Sequence, residues 1–293
     1  MTLFRLLRSA LFPALSAGTL ALAAVDPARV QQARALFNAG KLAEAQTAFA
    51  ALAAEDPRVP EAQRHLGLIA LRRNDADTAV KFLERACILD PTSGETVQQL
   101  GDAYAVSAMK AGVFSKFGWA RKCKTAYEKA VELDPKNIGT RWSLMEYYKQ
   151  APGFVGGSFA RAHEQAEAIT KLNPGAGRFA KAGVLAAEKK FDEAFAPYAG
   201  VLAAEPADYA ALHQFGQLAL ATNQRCADGI KALEKCLAIP PPPDEPGHAV
   251  IQAIIGRLHE ILGDKAAARA AYQAALALDA SFAPAAEALK KLP

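Results

Sequence analysis

The chain has 293 residues, of which 52% are apolar and 8% aromatic, with 34 Lys and Arg against 30 Asp and Glu. This composition excludes a disordered, collagen-like or disulfide-scaffold protein, each of which has a far more biased residue content. The formal net charge of +4 is small for this length. The excess of positive charge that binds phosphate backbones is therefore missing, and nucleic acid is not an expected partner.

The first 24 residues have the parts of a cleaved signal peptide. A positively charged start with Arg5 and Arg8 is followed by an uncharged, mostly apolar run over residues 9–25 that ends in small residues. A membrane-spanning helix is the alternative, but it needs about 20 apolar residues, and this run is shorter and interrupted by Pro and Gly. The sequence therefore predicts cleavage near Ala24 and a mature protein that is periplasmic or secreted.

The four cysteines need an interpretation, because an exported protein can form disulfides. Cys226 and Cys236 are predicted to lie on or beside one helix, where the rise along the axis separates them too far for a bridge. Cys87 and Cys123 stand on apolar helical faces. Small buried thiols that pack like alanine are the favoured interpretation.

A polar residue followed by proline recurs along the chain. The pairs are Asp56-Pro57, Asp90-Pro91, Asp134-Pro135, Asn173-Pro174 and Glu205-Pro206. Each proline indicates a helix end, since its ring disfavours the α conformation of the residue before it. A small residue stands upstream of each proline and is usually followed four positions later by a bulky one, as with Ala79 and Leu83. This pattern predicts a helix that packs closely against another.

The preceding part of each unit is predicted to be a first helix with a bulky residue followed by glycine. Examples are Leu66-Gly67, Leu100-Gly101, Phe215-Gly216 and Ile255-Gly256. Glycine inside a helix costs about 1 kcal/mol relative to alanine. Its recurrence at this position therefore indicates a close contact between the two helices of each unit.

With its Leu-Gly, aromatic, small, aromatic and closing proline positions in order, the unit resembles the tetratricopeptide repeat, a helix-turn-helix of 34 residues. The resemblance implies an all-α, right-handed superhelical solenoid over residues 25–293. We expect about seven units and a capping helix over residues 282–292. The units are predicted to close near residues 57, 91, 135, 174, 206, 241 and 280. A compact helical bundle is the alternative, but it does not predict this ladder of prolines.

Two adjacent units carry extra residues in their hairpin turns. The insert at residues 106–122 includes Lys116, Trp119 and Arg121, and such a mixture can contact an acidic partner or an anionic lipid surface. The other interpretation is that the extra residues lengthen both helices and that the aromatic residues pack within the hairpin. The second insert, around residues 151–158, occupies the equivalent turn of the next unit, so both are expected at one edge of the stack.

No catalytic or metal-binding signature is present. The five histidines are scattered without a paired ligand spacing, and no nucleophile elbow, phosphate-binding loop or dinucleotide fingerprint occurs. The sequence therefore predicts no catalytic residue, no metal and no cofactor. An enzyme whose active site is assembled across the groove is a further alternative.

The resemblance implies a non-catalytic scaffold that binds a protein or peptide in a concave groove lined by the first helices. The groove residues are expected two positions before the Leu-type position and one after the Gly-type position, which share a helical face. They are Arg64, Leu68, Gln98, Asp102, Trp142, Glu146, Phe179, His213, Gln217 and Arg257. The alternative is an envelope-associated adaptor that contacts its partner through the basic aromatic insert.

Family members that capture a chaperone's C-terminal carboxylates place a basic residue and an asparagine side by side in this groove. Arg64 fits the basic position, but Leu68 stands where the asparagine would be. That mode of binding is therefore not expected.

Overall fold

The structure, a computed structural model, describes residues 25–292, which form seven helical hairpins and a last helix without any strand. The first helices of the hairpins are α1 (Pro27–Asn38), α3 (Pro60–Arg72), α5 (Gly94–Lys110), α7 (Ile138–Gln150), α9 (Pro174–Ala187), α11 (Tyr209–Thr222) and α13 (His248–Ile261). The second helices are α2 (Leu42–Glu55), α4 (Ala76–Leu89), α6 (Val113–Leu133), α8 (Phe159–Leu172), α10 (Phe191–Ala204), α12 (Cys226–Leu237) and α14 (Lys265–Leu278). Helix α15 (Ala283–Lys291) follows the last hairpin. The all-α prediction is confirmed, and the predicted signal peptide lies outside the described residues.

Short polar side chains and prolines set the helix ends. Side-chain oxygens of several residues accept a hydrogen bond from a backbone amide of the first helical turn, which satisfies a donor that the helix leaves free. These N-cap residues are Asp26, Asp75, Ser93, Asn137, Ser158, Asn173, Asp208 and Asp264. Asn173 also closes α8, and Pro174 is the first residue of α9, so one dipeptide ends a helix and begins the next.

Each glycine of the predicted helix contact faces a bulky residue of the second helix. A Cβ added at Gly101 would lie 2.6 Å from Cδ1 of Tyr127, and one added at Gly67 would lie 2.6 Å from Cγ of Leu83. Equivalent distances join Gly216 to Leu233 and Gly256 to Tyr272. These distances are too short for any real Cβ, so the close contact predicted from the glycines is confirmed.

The first helices form the inner layer of the stack. Each contacts the first helix of the next hairpin, from α1 to α13, while each second helix contacts the first helix that follows it. The predicted small residues of the second helices are all buried, among them Ala79, Cys123 and Ala194. The result is a solenoid whose inner face is built from one side of α1, α3, α5, α7, α9, α11 and α13.

The first insert is helical. Helix α5 has 17 residues and α6 has 21, whereas the other helices of the hairpins have 12 to 14. The interpretation that the extra residues lengthen both helices is therefore right. The aromatic residues are divided, since Trp119 packs on the core but Phe114 is fully exposed.

The second insert is a short 3-10 turn, Gly153–Val155, followed by a tight bend before α8. A Cβ at Gly157 would lie 1.7 Å from the carbonyl oxygen of Ala151, so this bend requires glycine. The amides of Gly156 and Gly157 donate to the carbonyls of Gly153 and Pro152 within the turn. They are therefore not free to bind an anion.

The four cysteines are free thiols. Cys226 and Cys236 both lie in α12, as expected. Burial raises the pKa of the Cys123 and Cys236 thiols to about 12 and that of Cys87 to about 11. Such thiols stay protonated at neutral pH and pack as small apolar residues.

We predict that Gly101→Leu destabilises the protein by about 1–3 kcal/mol, because the new side chain would overlap the ring of Tyr127. Gly200→Ala is the matched control, since Gly200 lies exposed within α10 and its added Cβ would touch nothing within 4 Å. That change should stabilise the helix by up to about 1 kcal/mol. Urea unfolding followed by circular dichroism measures both. Equal effects of the two substitutions would contradict the packing described here.

Candidate functional site

Nine of the ten residues predicted to line the groove are at least partly accessible on the inner layer. Arg257 is exposed, and the half-buried ones are Arg64, Leu68, Gln98, Asp102, Trp142, Glu146, Phe179 and Gln217. His213 is only 6% exposed. The structure therefore places His213 beneath the groove surface rather than on it.

The aromatic centre of the groove joins two neighbouring hairpins. The rings of Trp142 on α7 and Phe179 on α9 are stacked, with their centroids 5.7 Å apart and their planes inclined by 20°. Offset stacking of this kind stabilises a pair beyond the area that it buries. The two residues are thus held together across the boundary between the fourth and fifth hairpins.

Several polar residues of the groove are already paired with each other. Gln98 accepts a hydrogen bond of 2.7 Å from Oγ1 of Thr140, which links α5 to α7. Nζ of Lys149 lies 2.6 Å from a carboxylate oxygen of Glu146. On α3 and α5, Arg64 and Glu95 form a further ion pair, with 2.6 Å between nitrogen and oxygen. A partner that bound these groups would have to replace the existing contacts.

Asp102 is held by the second helix of its own hairpin. The hydroxyl of Tyr127 donates to the Asp102 carboxylate at 2.7 Å. Burial raises the pKa of the Asp102 carboxyl, and the hydrogen bond from Tyr127 opposes this only in part. The carboxylate is thus largely committed to the hairpin contact.

His213 anchors the proline-rich segment 240–247. Its Nδ1 lies 3.1 Å from a carboxylate oxygen of Glu245, and its Nε2 lies 2.8 Å from the side-chain amide of Gln217. The hydroxyl of Tyr209 donates to the carbonyl of Pro246 at 2.6 Å. Burial lowers the pKa of His213, and Glu245 opposes the shift. These contacts hold the segment against α11.

A cavity of about 710 Å³, here called the insert cavity, lies between α5, α6, α7 and the second insert. Trp142 and Glu146 line one side, while Lys116 and Phe117 of the first insert line another. Its remaining wall is mostly apolar and includes Ala105, Ala108, Val113, Ala120, Tyr147 and Val155. The groove and the first insert, which the sequence suggested as separate candidate surfaces, thus meet in one cavity.

A second cavity, here called the α9 cavity, lies on the other side of Trp142 and Glu146. It has a volume of about 590 Å³ and includes residues of α7, α9 and α11. Its lining includes Lys149, Phe179, Gly183, Ala186, Lys189, Phe191 and Leu218. Trp142 therefore stands between two adjacent recesses of the inner face.

The three predicted residues of the first insert lie in different places. Lys116 lines the insert cavity, whereas Trp119 packs against Tyr104, with 5.7 Å between ring centroids, and is covered by Nζ of Lys122 at 4.8 Å. Arg121 is exposed. Trp119 is therefore used mainly to pack the lengthened hairpin, and only Lys116 belongs to the cavity.

The sequence did not predict several contacts and lining residues of this site. Phe117 of the first insert and Phe154 of the second are in contact, with ring centroids 4.8 Å apart, and Val155 beside them is buried. Gly183 and Lys189 of the α9 cavity were also missed. The contact between the two inserts had one signal in the sequence, namely an aromatic residue in each insert. Two aromatic side chains at the same edge of the stack are expected to pack against each other.

The part of the chain that the structure describes contains neither a metal-binding cluster nor a helix able to span a membrane. Among the described residues, no group of His, Cys, Asp and Glu could hold a metal ion. No helix within residues 25–292 is long and apolar enough to span a bilayer.

The fold and the recessed inner face define a solenoid of helical hairpin repeats. Tetratricopeptide repeat models match residues 30–94, 106–137 and 250–282. The chain is a tetratricopeptide repeat protein, as the resemblance of its repeat unit to that family implied. Repeats of this family generally mediate protein–protein interaction, and the fold is typically a non-catalytic scaffold.

Similar proteins support the same fold. A tetratricopeptide repeat protein of Parabacteroides merdae superposes with a TM-score of 0.57, covering 90% of this chain and 96% of its own at 14% identity. A thermophilic repeat protein of Thermus thermophilus gives a TM-score of 0.50, covering 66% of this chain and 98% of its own at 19% identity. The peroxisomal targeting signal receptor of Kluyveromyces lactis is 24% identical over 205 residues, which are 70% of this chain but only 34% of the receptor.

We predict that Asp102→Asn is more stable than the wild type near neutral pH and that its advantage shrinks in acid. Because folding raises the pKa of Asp102, the folded state favours the protonated carboxyl, and wild-type stability falls as pH rises through the folded-state pKa. Asparagine keeps an oxygen for Tyr127 and never ionises. Urea unfolding between about pH 4 and about pH 7 measures the difference. The exposed Asp244→Asn is the control, and an advantage that grows toward acid would contradict the assignment.

Proposed function

We propose that this protein is an exported, non-catalytic scaffold that binds a segment of another protein in the groove centred on Trp142. The observation that carries the proposal is the pair of recesses on either side of Trp142. Cavities of about 300–1,000 Å³ with mostly apolar walls and a few polar groups are typical of ligand sites. Trp is also enriched among the residues that dominate binding energy at protein interfaces.

The arrangement of the groove favours a peptide or a helix as the bound element. The two cavities follow one another along the inner layer, so an elongated segment could place side chains in both. The peroxisomal receptor to which the chain is similar is named for a targeting signal, which is consistent with recognition of a segment of another protein. The scattered histidines and the pairing of Glu146 with Lys149 give no arrangement suited to catalysis.

A second candidate is an envelope-associated adaptor that binds an acidic partner or an anionic lipid surface through the first insert. The observation that favours it is the exposed apolar tip of the α5–α6 hairpin. Met109 is 82% exposed, Val113 71% and Phe114 100%, with Lys116 and Arg121 nearby in sequence. Apolar side chains flanked by basic ones are suited to a membrane interface.

We predict that the mature chain begins near Ala24 or Val25 and is found outside the cytoplasm. The positively charged start, the apolar run and the small residues together form a cleavage signal. N-terminal sequencing of the native protein from fractionated cells is the measurement. An intact Met1 on a cytoplasmic protein would refute export and leave the groove proposal untouched.

We predict that Trp142→Ala weakens partner capture by at least about 1 kcal/mol while leaving the helical content unchanged, because a large anchor side chain is removed from the interface. The partner is to be identified by affinity capture from the exported fraction and then measured with purified components. A variant whose first insert is shortened to the ordinary repeat length separates the two candidate functions.

Loss of binding in the shortened variant alone, together with a strong decrease on adding salt, would favour the adaptor. A partner that binds the wild type and both variants equally would contradict both candidate functions. Turnover that depends on Glu146 or His213 would instead indicate an enzyme.

A further inference from the structure

The two cavities beside Trp142 carry an excess of positive charge. Their charged lining residues are Lys116, Lys149 and Lys189 against the single acid Glu146. Lys149 neutralises Glu146 through the ion pair of 2.6 Å. Lys116 and Lys189 have no ion pair or side-chain hydrogen bond with any described residue, and both are exposed. One unpaired cation therefore stands at each cavity.

The walls of the two cavities are mostly apolar, so they are suited to apolar side chains of the partner rather than to its charged groups. Val113, Phe117 and Val155 are among the apolar residues that line the insert cavity, and Phe179 and Leu218 are among those that line the α9 cavity. Each volume is large enough for a bulky side chain, and burial of apolar area there is favourable. A partner that carried only negative charge would leave both walls exposed to water.

We propose that the groove selects an acidic segment with two bulky apolar side chains, one for each cavity, whose carboxylates lie near Lys116 and Lys189. This rests on the proposed function and adds the chemistry of the partner to it. The argument is charge complementarity combined with two apolar recesses on one face. The segment need not include a chain terminus, since side chains fill both cavities. A membrane surface fits less well, because only the insert cavity reaches the exposed hairpin tip, through Met109 and Val113, whereas no residue of the α5–α6 hairpin lines the α9 cavity.

The test uses synthetic peptides with blocked ends, so that no terminal charge contributes. Each has two phenylalanines, separated by one or two helical turns, in a background of glutamate and serine. One control peptide replaces every glutamate with lysine, and another replaces one phenylalanine with serine. Fluorescence anisotropy should show that each control binds roughly tenfold more weakly or worse than the best acidic peptide.

Matched protein variants examine each cavity. A Cβ added at Gly183 would meet only Nζ of Lys149, at 3.7 Å, so the position accepts a Cβ, and we expect a longer side chain there to extend into the α9 cavity. Gly183→Leu should therefore remove the advantage of the second phenylalanine, while Gly183→Ala should keep most of it. Lys116→Glu combined with Lys189→Glu should remove the preference for the acidic peptide. Lys231→Glu, an exposed change on α12, should leave it unchanged.

Other outcomes overturn the proposal. Equal binding of the acidic and lysine peptides, or an acidic peptide that is unaffected by both Gly183→Leu and the double lysine change, would contradict it. The proposal would also be contradicted if the wild-type protein bound phosphatidylglycerol vesicles but none of the peptides. A natural partner that depends on Trp142 but is not displaced by the acidic peptides would overturn the inference while leaving the proposed function standing.

Discussion

The contact between a glycine of the first helix and a bulky residue of the second is the constraint on which the rest of this structure depends. It sets the distance between the two helices of a hairpin and the point along each helix at which they cross, as with Gly101 and Tyr127. In the fourth hairpin, which lacks this glycine, the sizes are exchanged, and Met145 on the first helix and Ala166 on the second are both fully buried in one cluster. The contact between the two helices thus needs one small and one bulky side chain of suitable total volume, and either helix can supply the small one.

The candidate site exists because two successive hairpins, the third and the fourth, carry inserts that depart from the ordinary repeat length. The added turns of α5 and α6 extend beyond the ordinary end of a hairpin, where the next repeat would offer them no partner. The second insert supplies one, because the bend that requires Gly157 brings Phe154 against Phe117 and buries Val155. The two inserts at one edge of the stack thus form walls of the insert cavity, which repeats of ordinary length would not form.

Contacts along the chain were predictable, and contacts between distant units were not. The spacing of prolines and glycines predicted the two helices of each hairpin and their close contact. The burial of His213 by Glu245 could not, since it depends on how the segment 240–247 folds back onto α11. Likewise, the link from Gln98 to Thr140 depends on the angle between successive hairpins, to which no short sequence pattern corresponds.

The contacts between distant units also affect how selectively such a groove can bind a partner. Groove residues that already pair with each other, such as Glu146 with Lys149, offer a partner little net gain, because each new hydrogen bond replaces an existing one. Their pairs instead keep the inner face satisfied and open in the absence of a partner. The groups with most to gain are those that the fold leaves unmatched, namely the apolar walls and the unpaired Lys116 and Lys189. Under the proposed function, selectivity therefore depends on the residues that packing of the repeats does not use.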